Sequence, residues 1–158
     1  MHKIALGYDS HRFAPGRALI LGGVQVTCEQ GLAGHSDADA VLHAVTDAIL
    51  GAIAAGDIGE LFDDTDPKWA DADSAVFVRH ATALAAERGY AIGNCDVTVL
   101  AERPKLAPYK AAMRDRIAEL LGIEPEAVSV KAKTNEGMGF IGRGEGVAAL
   151  AAVLLIVN

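Results

Sequence analysis

Apolar positions along the chain switch repeatedly between a period of two and a period near 3.6. Lys3–Tyr8 reads as a first strand that runs into Gly7-Tyr8-Asp9-Ser10-His11. Ala18–Leu21 and Val24–Thr27 flank Gly22-Gly23, the pattern of a two-residue hairpin. Val41, Leu42, Val45, Ile49 and Ile53 recur at helical spacing and predict a helix over Asp37–Ala55, stopped by Gly56. A second helix is predicted over Ser74–Arg88, ended by Gly89, and a third opens at Pro108, carries Met113, Ile117, Leu120 and Leu121, and closes at Gly122. Between the first two helices, Asp57–Asp73 is dense in carboxylates and too irregular for a core element. Ala91–Ala101 and Val128–Lys133 alternate as strands, and Gly146–Val157 is a last strand apolar on both sides. Such a strand has to lie under helices or against another subunit. The alternation of elements predicts an α/β (α+β) fold, a mixed β-sheet with helices on one face, in a single domain over residues 1–158.

Composition thins the expected core. Of 158 residues, 30 are Ala and 17 Gly, which suits backbones packed close together, between elements or between subunits. The formal net charge is −7 and no Lys/Arg run exists, which excludes a protein that grips nucleic acid by neutralising phosphates. Taken alone, that charge also weighs against a phosphate-rich substrate. Cys28 and Cys95 make no disulfide framework and read as small apolar residues in a reduced compartment. The N-terminus meets an acid and a histidine before any signal-peptide apolar region, and the longest apolar run, Val147–Val157, falls short of the ~20 residues of a membrane helix. A soluble, cytoplasmic protein is expected, with no membrane partner.

The first candidate chemistry is Asp9 and His11 with His43. In extended backbone Asp9 and His11 point to one side, and on the first helix Asp39, His43 and Asp47 form a stripe away from Val41, Val45 and Ile49. Two histidines and a carboxylate are a common set for a catalytic zinc with an open fourth position, and flanking carboxylates can orient the imidazoles. The same residues also read as ordinary polar groups at a strand end and on a helix face. Ser36 or Asp37 suits a helix N-cap, and His35 beside it suits an anion held at the helix start. Gly137-Met138-Gly139-Phe140-Ile141-Gly142 spells G-x-G-x-x-G, but no helix and acidic residue follow as a dinucleotide fold requires, so a tight turn or close backbone approach is the reading. The run Phe62-Asp63-Asp64-Thr65-Asp66-Pro67 is either a divalent-cation loop without EF-hand spacing or a solvated turn. Lys105, Lys131 and Lys133 are solvated surface cations by default, and His2 and His80 are exposed.

In order along the chain, Gly7 to His11, Gly34-His35-Ser36-Asp37, Leu42-His43-Ala44, Asp57-Ile58-Gly59, Phe62 to Pro67 and Gly142-Arg143-Gly144-Glu145-Gly146 resemble the 2-C-methyl-D-erythritol 2,4-cyclodiphosphate synthase family over essentially the whole length. The resemblance implies a homotrimer with sheets packed around a three-fold axis and active sites between neighbouring subunits. It implies conversion of 4-diphosphocytidyl-2-C-methyl-D-erythritol 2-phosphate to the cyclic diphosphate with release of CMP, in non-mevalonate isoprenoid biosynthesis. A zinc-type ion (Zn or Mn) is implied at Asp9, His11 and His43. A second ion, Mg or Mn with the substrate diphosphate, is implied at Glu136. His35 and Thr134 match transition-state-stabilising positions, and Ser10 and Ser36 match neighbouring substrate contacts. Ala101-Glu102-Arg103-Pro104-Lys105-Leu106-Ala107 and Lys133-Thr134-Asn135-Glu136 match the segments that hold the cytidine diphosphate. Asp57-Ile58-Gly59 and Phe62-Asp63-Asp64-Thr65-Asp66 match the border of the erythritol phosphate pocket. Phe140 and Arg143 match further substrate contacts, near an apolar axial tunnel that takes isoprenoid diphosphates. Lys133, Asp63 and the pair Glu102-Arg103 depart from residues frequent in the family, and none is a metal-ligand position. Competing readings are a metal-dependent phosphohydrolase, which would turn the same ligands on water, and a trimeric isoprenoid-diphosphate binding protein.

Overall fold

A computed structural model describes residues 1–63 and 65–158. Seven strands form, β1 (Lys3–Ala14), β2 (Leu19–Leu21), β3 (Val24–Val26), β4 (Gly31–Leu32), β5 (Tyr90–Leu100), β6 (Val128–Lys133) and β7 (Gly146–Val157). Three main helices, α1 (Ala40–Ala52), α3 (Ala75–Glu87) and α4 (Lys110–Leu121), are joined by one-turn helices α2 (Ile58–Leu61) and α5 (Gly139–Gly142). The main sheet has the order β4-β1-β7-β5-β6, and β2 and β3 make a separate hairpin. β5 and β6 run parallel, joined through α4, while the other pairs are antiparallel. The sheet is therefore mixed, as the alternation of patterns predicts.

Burial along the strands follows their period of two. Val97, Val99, Val147, Ala149, Ala151, Val153 and Leu155 face α1, α3 and α4 and are buried. Their neighbours on the other face, Ile4, Leu6, Tyr8 and Leu150, are exposed at 75%, 72%, 52% and 38%. The expectation of helices on one face is met. β7 lies at the centre of the sheet, under helices on one side, with Leu150 exposed on the other.

Gly7 sets how closely α1 approaches the sheet. A Cβ there would stand 1.9 Å from the Ala44 carbonyl oxygen and 2.7 Å from the Ala48 nitrogen, so only glycine lets strand and helix backbones touch. His43 precedes Ala44 on that helix, and Asp9 and His11 follow Gly7 on the same strand face. The pairing of β1 with β7 continues through Asp9↔Ala149 and His11↔Val147 to Arg12↔Gly146, which is why the strand outruns Tyr8.

Three local expectations change. The first helix starts at Ala40, not Asp37, because Ala38 has φ +58° and breaks the helical path. Asp39, rather than Ser36 or Asp37, is its N-cap. It is wholly buried and accepts from Val41 N (3.0 Å), Leu42 N (3.0 Å), Gly22 N (2.9 Å) and Gly23 N (2.6 Å), so one carboxylate caps the helix and holds the hairpin turn. The irregular stretch after α1 holds α2 and a 3₁₀ turn at Pro67–Trp69, and it buries Phe62. The glycine-rich loop holds α5, where Gly142 lies so close to Gly137 that a Cβ would meet its carbonyl carbon at 2.0 Å, the close backbone approach expected there. No described helix is long and apolar enough to cross a membrane.

Two outcomes follow for stability. Asp39→Ala should cost about 3 kcal/mol in urea unfolding, the sum of a lost cap and orphaned amide donors. Burial pushes Asp39 up from 3.8 to about 6, with the amide donors opposing. Folding then takes up a proton, so this carboxyl's contribution to stability falls as pH rises from about 4 to about 6. Unfolding midpoints across that range should lose this slope in Asp39→Asn.

Candidate functional site

Asp9 and His11 leave β1 on its helix-facing side and meet His43 from α1. Asp9 Oδ2 lies 2.8 Å from His11 Nε2 and 3.0 Å from His43 Nδ1, and the two ring nitrogens are 3.2 Å apart. His11 Nδ1 donates to the Ala33 carbonyl at 2.7 Å, which leaves the Nε2 lone pair facing the cluster. The three donor atoms are thus nearly equidistant, close to the roughly 3.3 Å edge of a tetrahedron with ~2.0–2.1 Å metal bonds. Burial opposes ionisation of Asp9, but the hydrogen bonds and charges of His11 and His43 outweigh it and hold the carboxyl down at about 2. Burial likewise pulls the His11 pKa down, and the Asp9 carboxylate more than reverses it, so the pKa is raised. The site favours positive charge between its side chains. This donor set can hold a divalent metal ion.

The cluster opens into a cavity of about 380 Å³ lined also by Gly34, His35, Ser36, Ile58, Gly59, Phe62, Trp69 and Phe77. One wall is aromatic: Phe62 packs on Phe77 with ring centroids 4.6 Å apart, Trp69 closes on both at 5.2 and 5.5 Å, and Phe77 lies 5.9 Å from His43. The opposite wall is the loop that carries His35 and Ser36. Arg17 ties it down, donating from Nη1 to the Gly34 carbonyl at 2.6 Å and from Nη2 to that of Ser36. Asp71 N donates to the His35 carbonyl (2.8 Å) and Asp37 N to that of Ala72 (3.0 Å). His35 is exposed at the rim, its Nε2 donating to the Asp66 carbonyl at 3.2 Å.

The remaining expected residues fall into separate groups. Asp57 N-caps α2, accepting from Glu60 N, and Asp63 accepts from Thr65 N and Oγ1. Asp66 caps the 3₁₀ turn and pairs with Lys68 at 3.1 Å, while Asp64 lies outside the described residues. Ala101, Glu102, Pro104, Lys105, Leu106, Ala107, Lys133 and Thr134 line a second cavity of about 200 Å³, which shares no residue with the first. Glu102 braces the adjoining turn by accepting from Asn135 N (2.8 Å) and Gly137 N (3.2 Å). Glu136 sits in that turn at φ +51°, within 3.3 Å of the Thr134 hydroxyl, and is not part of the metal cluster. Arg103 lies with Phe13, Cys28 and Pro104 at a third cavity. Ser10 and Phe140 line a fourth with Arg12 and Glu145, and Arg143 pairs with Glu145 at 2.6 Å.

Asp39 and Asp47 do not orient the imidazoles as the helical stripe suggests. Asp39 is the N-cap, and Asp47 accepts from Ile58 N at 2.8 Å. The partners of His43 come instead from Ser36 and Ser74, and those of the His35 loop from Arg17. Sequence spacing carries no signal for these, since Ser74 is 31 positions from His43 and Arg17 is 17 from Gly34. Trp69 and Phe77 also line the pocket without having been singled out.

Fold and site together define a mixed α/β protein with a two-histidine, one-carboxylate cluster able to hold a divalent metal, beside an aromatic-walled pocket. The chain belongs to the YgbB family, whose model matches residues 2–156. It is 57% identical over 152 residues to a 2-C-methyl-D-erythritol 2,4-cyclodiphosphate synthase of Symbiobacterium thermophilum, covering 96% of this chain and 97% of that one. It is 58% identical to the enzyme of that name from Xanthomonas axonopodis pv. citri, covering 97% and 92%. Among solved structures, a complex of IspF from Plasmodium falciparum with CDP matches at TM-score 0.88 and 36% identity over 99% of this chain and 97% of that one. The bifunctional IspDF of Campylobacter jejuni matches at TM-score 0.96 and 43% identity over 100% of this chain, which spans 43% of that longer protein.

Arg17→Ala should free the His35 loop without touching the cluster. Loss of two charge-assisted bonds predicts amide hydrogen exchange at Asp37 and Asp71 faster by about tenfold or more, with exchange in α4 unchanged.

Proposed function

We propose that this chain is a lyase that converts 4-diphosphocytidyl-2-C-methyl-D-erythritol 2-phosphate to 2-C-methyl-D-erythritol 2,4-cyclodiphosphate and CMP. The observation that carries the reading is the convergence of Asp9, His11 and His43 within 2.8–3.2 Å at the mouth of a pocket, in a chain of this family. In the reaction the substrate's 2-phosphate oxygen attacks its own β-phosphorus, the bond to the α-phosphate oxygen breaks, and CMP departs. The substrate brings its nucleophile, so the protein needs none. Ser74 beside His43 and Asp37 has the residue types of a hydrolytic triad in the wrong order, and Ser74 is fully buried.

A divalent ion held by Asp9, His11 and His43 would supply Lewis-acid charge at a phosphate oxygen. The chain's own task is to fold a flexible polyanion for ring closure, a kind of positioning worth ~7–11 kcal/mol in well-oriented intramolecular reactions. His35, its Nε2–H anchored on Asp66, stands where it can meet a phosphoryl oxygen, with Ser36 beside it. Ile58, Gly59, Phe62 and the Asp57 and Asp63–Asp66 segments border the methylerythritol. Lys105, Lys133 and Thr134 in the second cavity take the cytidine diphosphate, and Glu136 would hold the ion that accompanies it.

That the two halves use different cavities of one chain supports an assembly in which neighbouring copies complete each site. The exposed Ile4, Leu6, Tyr8 and Leu150 supply an apolar face for it. A homotrimer is the proposed state, with the cavity of Ser10, Phe140 and Glu145 toward its axis as the place for an isoprenoid diphosphate.

Incubation with the phosphorylated cytidyl substrate and magnesium, followed by phosphorus NMR, should show CMP and the cyclic diphosphate growing together. A linear hydrolysed product would overturn cyclisation in favour of a phosphohydrolase. His43→Ala should abolish turnover while sedimentation still reports three times 16.4 kDa; full turnover by the metal-free variant would remove the ion from the reading. Chelator dialysis of the wild type should likewise stop CMP release, and zinc with magnesium should restore it.

A further inference from the structure

His43 is the only member of the cluster whose far ring nitrogen faces hydroxyls rather than a carbonyl or solvent. Its Nε2 lies 2.8 Å from Ser74 Oγ and 3.2 Å from Ser36 Oγ. Both serines are buried, Ser74 completely, while Ser36 also borders the cavity. Ser74 in turn meets Asp37 twice, through Oγ to Oδ1 and through its backbone N to Oδ2 at 3.1 Å. Asp37 also accepts from Asp39 N at 3.1 Å, which ties it to the start of α1.

The proton positions follow from what each group can give. An ionised Asp37 has no proton, so the Ser74 hydroxyl donates to it and keeps only lone pairs for His43. Ser36 Oγ, which accepts from Ala38 N, stands farther off at 3.2 Å, so the 2.8 Å contact with Ser74 decides: Nε2 of His43 carries the hydrogen and donates to Ser74. In a neutral ring that leaves Nδ1 with its lone pair, facing Asp9 and His11. Without this chain the opposite tautomer would be favoured, because Nδ1–H could donate to the Asp9 carboxylate at 3.0 Å. That tautomer would cap the position a metal ion needs.

We propose that Asp37 and Ser74 act as a positioning relay that holds His43 in its Nε2–H tautomer and aims the Nδ1 lone pair at the Asp9–His11 cluster. The relay crosses from the His35 loop to the N-terminus of α3, so the segments that wall the pocket also set the ligand's electronic state. An imidazole that donates through a hydroxyl to a carboxylate is also the better electron-pair donor to a cation. The proposal rests on the reading of Asp9, His11 and His43 as the ion's ligands, and its test is arranged to separate the two.

Long-range ¹H–¹⁵N spectra of the metal-free wild type, recorded at a pH where both rings are neutral, should show His43 protonated at Nε2 and His11 at Nδ1. An Nδ1–H His43 would overturn the proposal whatever the protein binds. In Ser74→Ala, His43 should move toward Nδ1–H with the His11 pattern unchanged, and Co²⁺ affinity, read from its visible absorption, should weaken about 10–100-fold. Ser74→Thr keeps the hydroxyl and should restore both readouts. An unchanged tautomer and affinity in a folded Ser74→Ala protein would overturn the relay. Failure of the wild type to bind Co²⁺ would instead remove the metal reading, while the metal-free spectra still decide the tautomer.

Discussion

The contact between Gly7 and the Ala44–Ala48 turn of α1 is the constraint on which the site depends. Interiors are packed like solids, so the distance between two elements is set by the largest atoms between them. With a hydrogen in place of a side chain at Gly7, the helix backbone rests directly on β1, and the Ala44 carbonyl occupies the space a Cβ would take. Asp9 is the next residue on that strand face, and His43 adjoins Ala44. A methyl group's width at Gly7 would separate donor atoms that now stand about 3 Å apart. Small residues in this chain are therefore a means of bringing polar groups from different elements together.

Three aspartates near the cluster take three different roles, because each meets a different set of partners. Asp9 faces two imidazoles and stays ionised. Asp39 is enclosed by backbone amides and joins a helix start to a hairpin turn. Asp37 meets Ser74 and links the pocket loop to α3. Such acids explain how a chain of net charge −7 suits a substrate rich in phosphate. Carboxylates that face imidazoles or cap helices do not repel the ligand as free surface charges would, and a cation held at Asp9, His11 and His43 would supply positive charge the composition lacks.

The two faces of the sheet divide the labour. One carries the core and, at the end of β1, the cluster. The other presents Ile4, Leu6, Tyr8 and Leu150. Because side chains alternate along a strand, neighbours in sequence serve opposite surfaces: Asp9 and His11 face the helix side, while Tyr8 and Ser10 face away. A pocket wall and an exposed apolar face can thus be written into the same strand.

Most of the architecture was legible from residue order. Periodicity located α1, α3, α4, β5, β6 and β7 to within a few residues, since burial on one face imposes it directly, but it ended β1 at Tyr8, six residues short of Ala14. The pairing of Asp9 with His11 followed from strand alternation, and the ordered motifs marked the family. What periodicity misread was local and polar: the start of α1, displaced by the left-handed Ala38, and Phe62, buried inside a stretch that looks like a solvated turn. The sequence by itself determined the elements, the faces they bury and the grouping of Asp9, His11 and His43 as candidate ligands. Only the tertiary structure decided that His43 leans on Ser74 and Asp37 rather than on Asp39 or Asp47, that Arg17 holds the His35 loop, and that Lys105, Lys133 and Thr134 line a cavity of their own. The reason is physical. Hydrophobic burial leaves a periodic trace in the chain, whereas a hydrogen bond between groups tens of residues apart depends on distances that exist only once the backbone has closed.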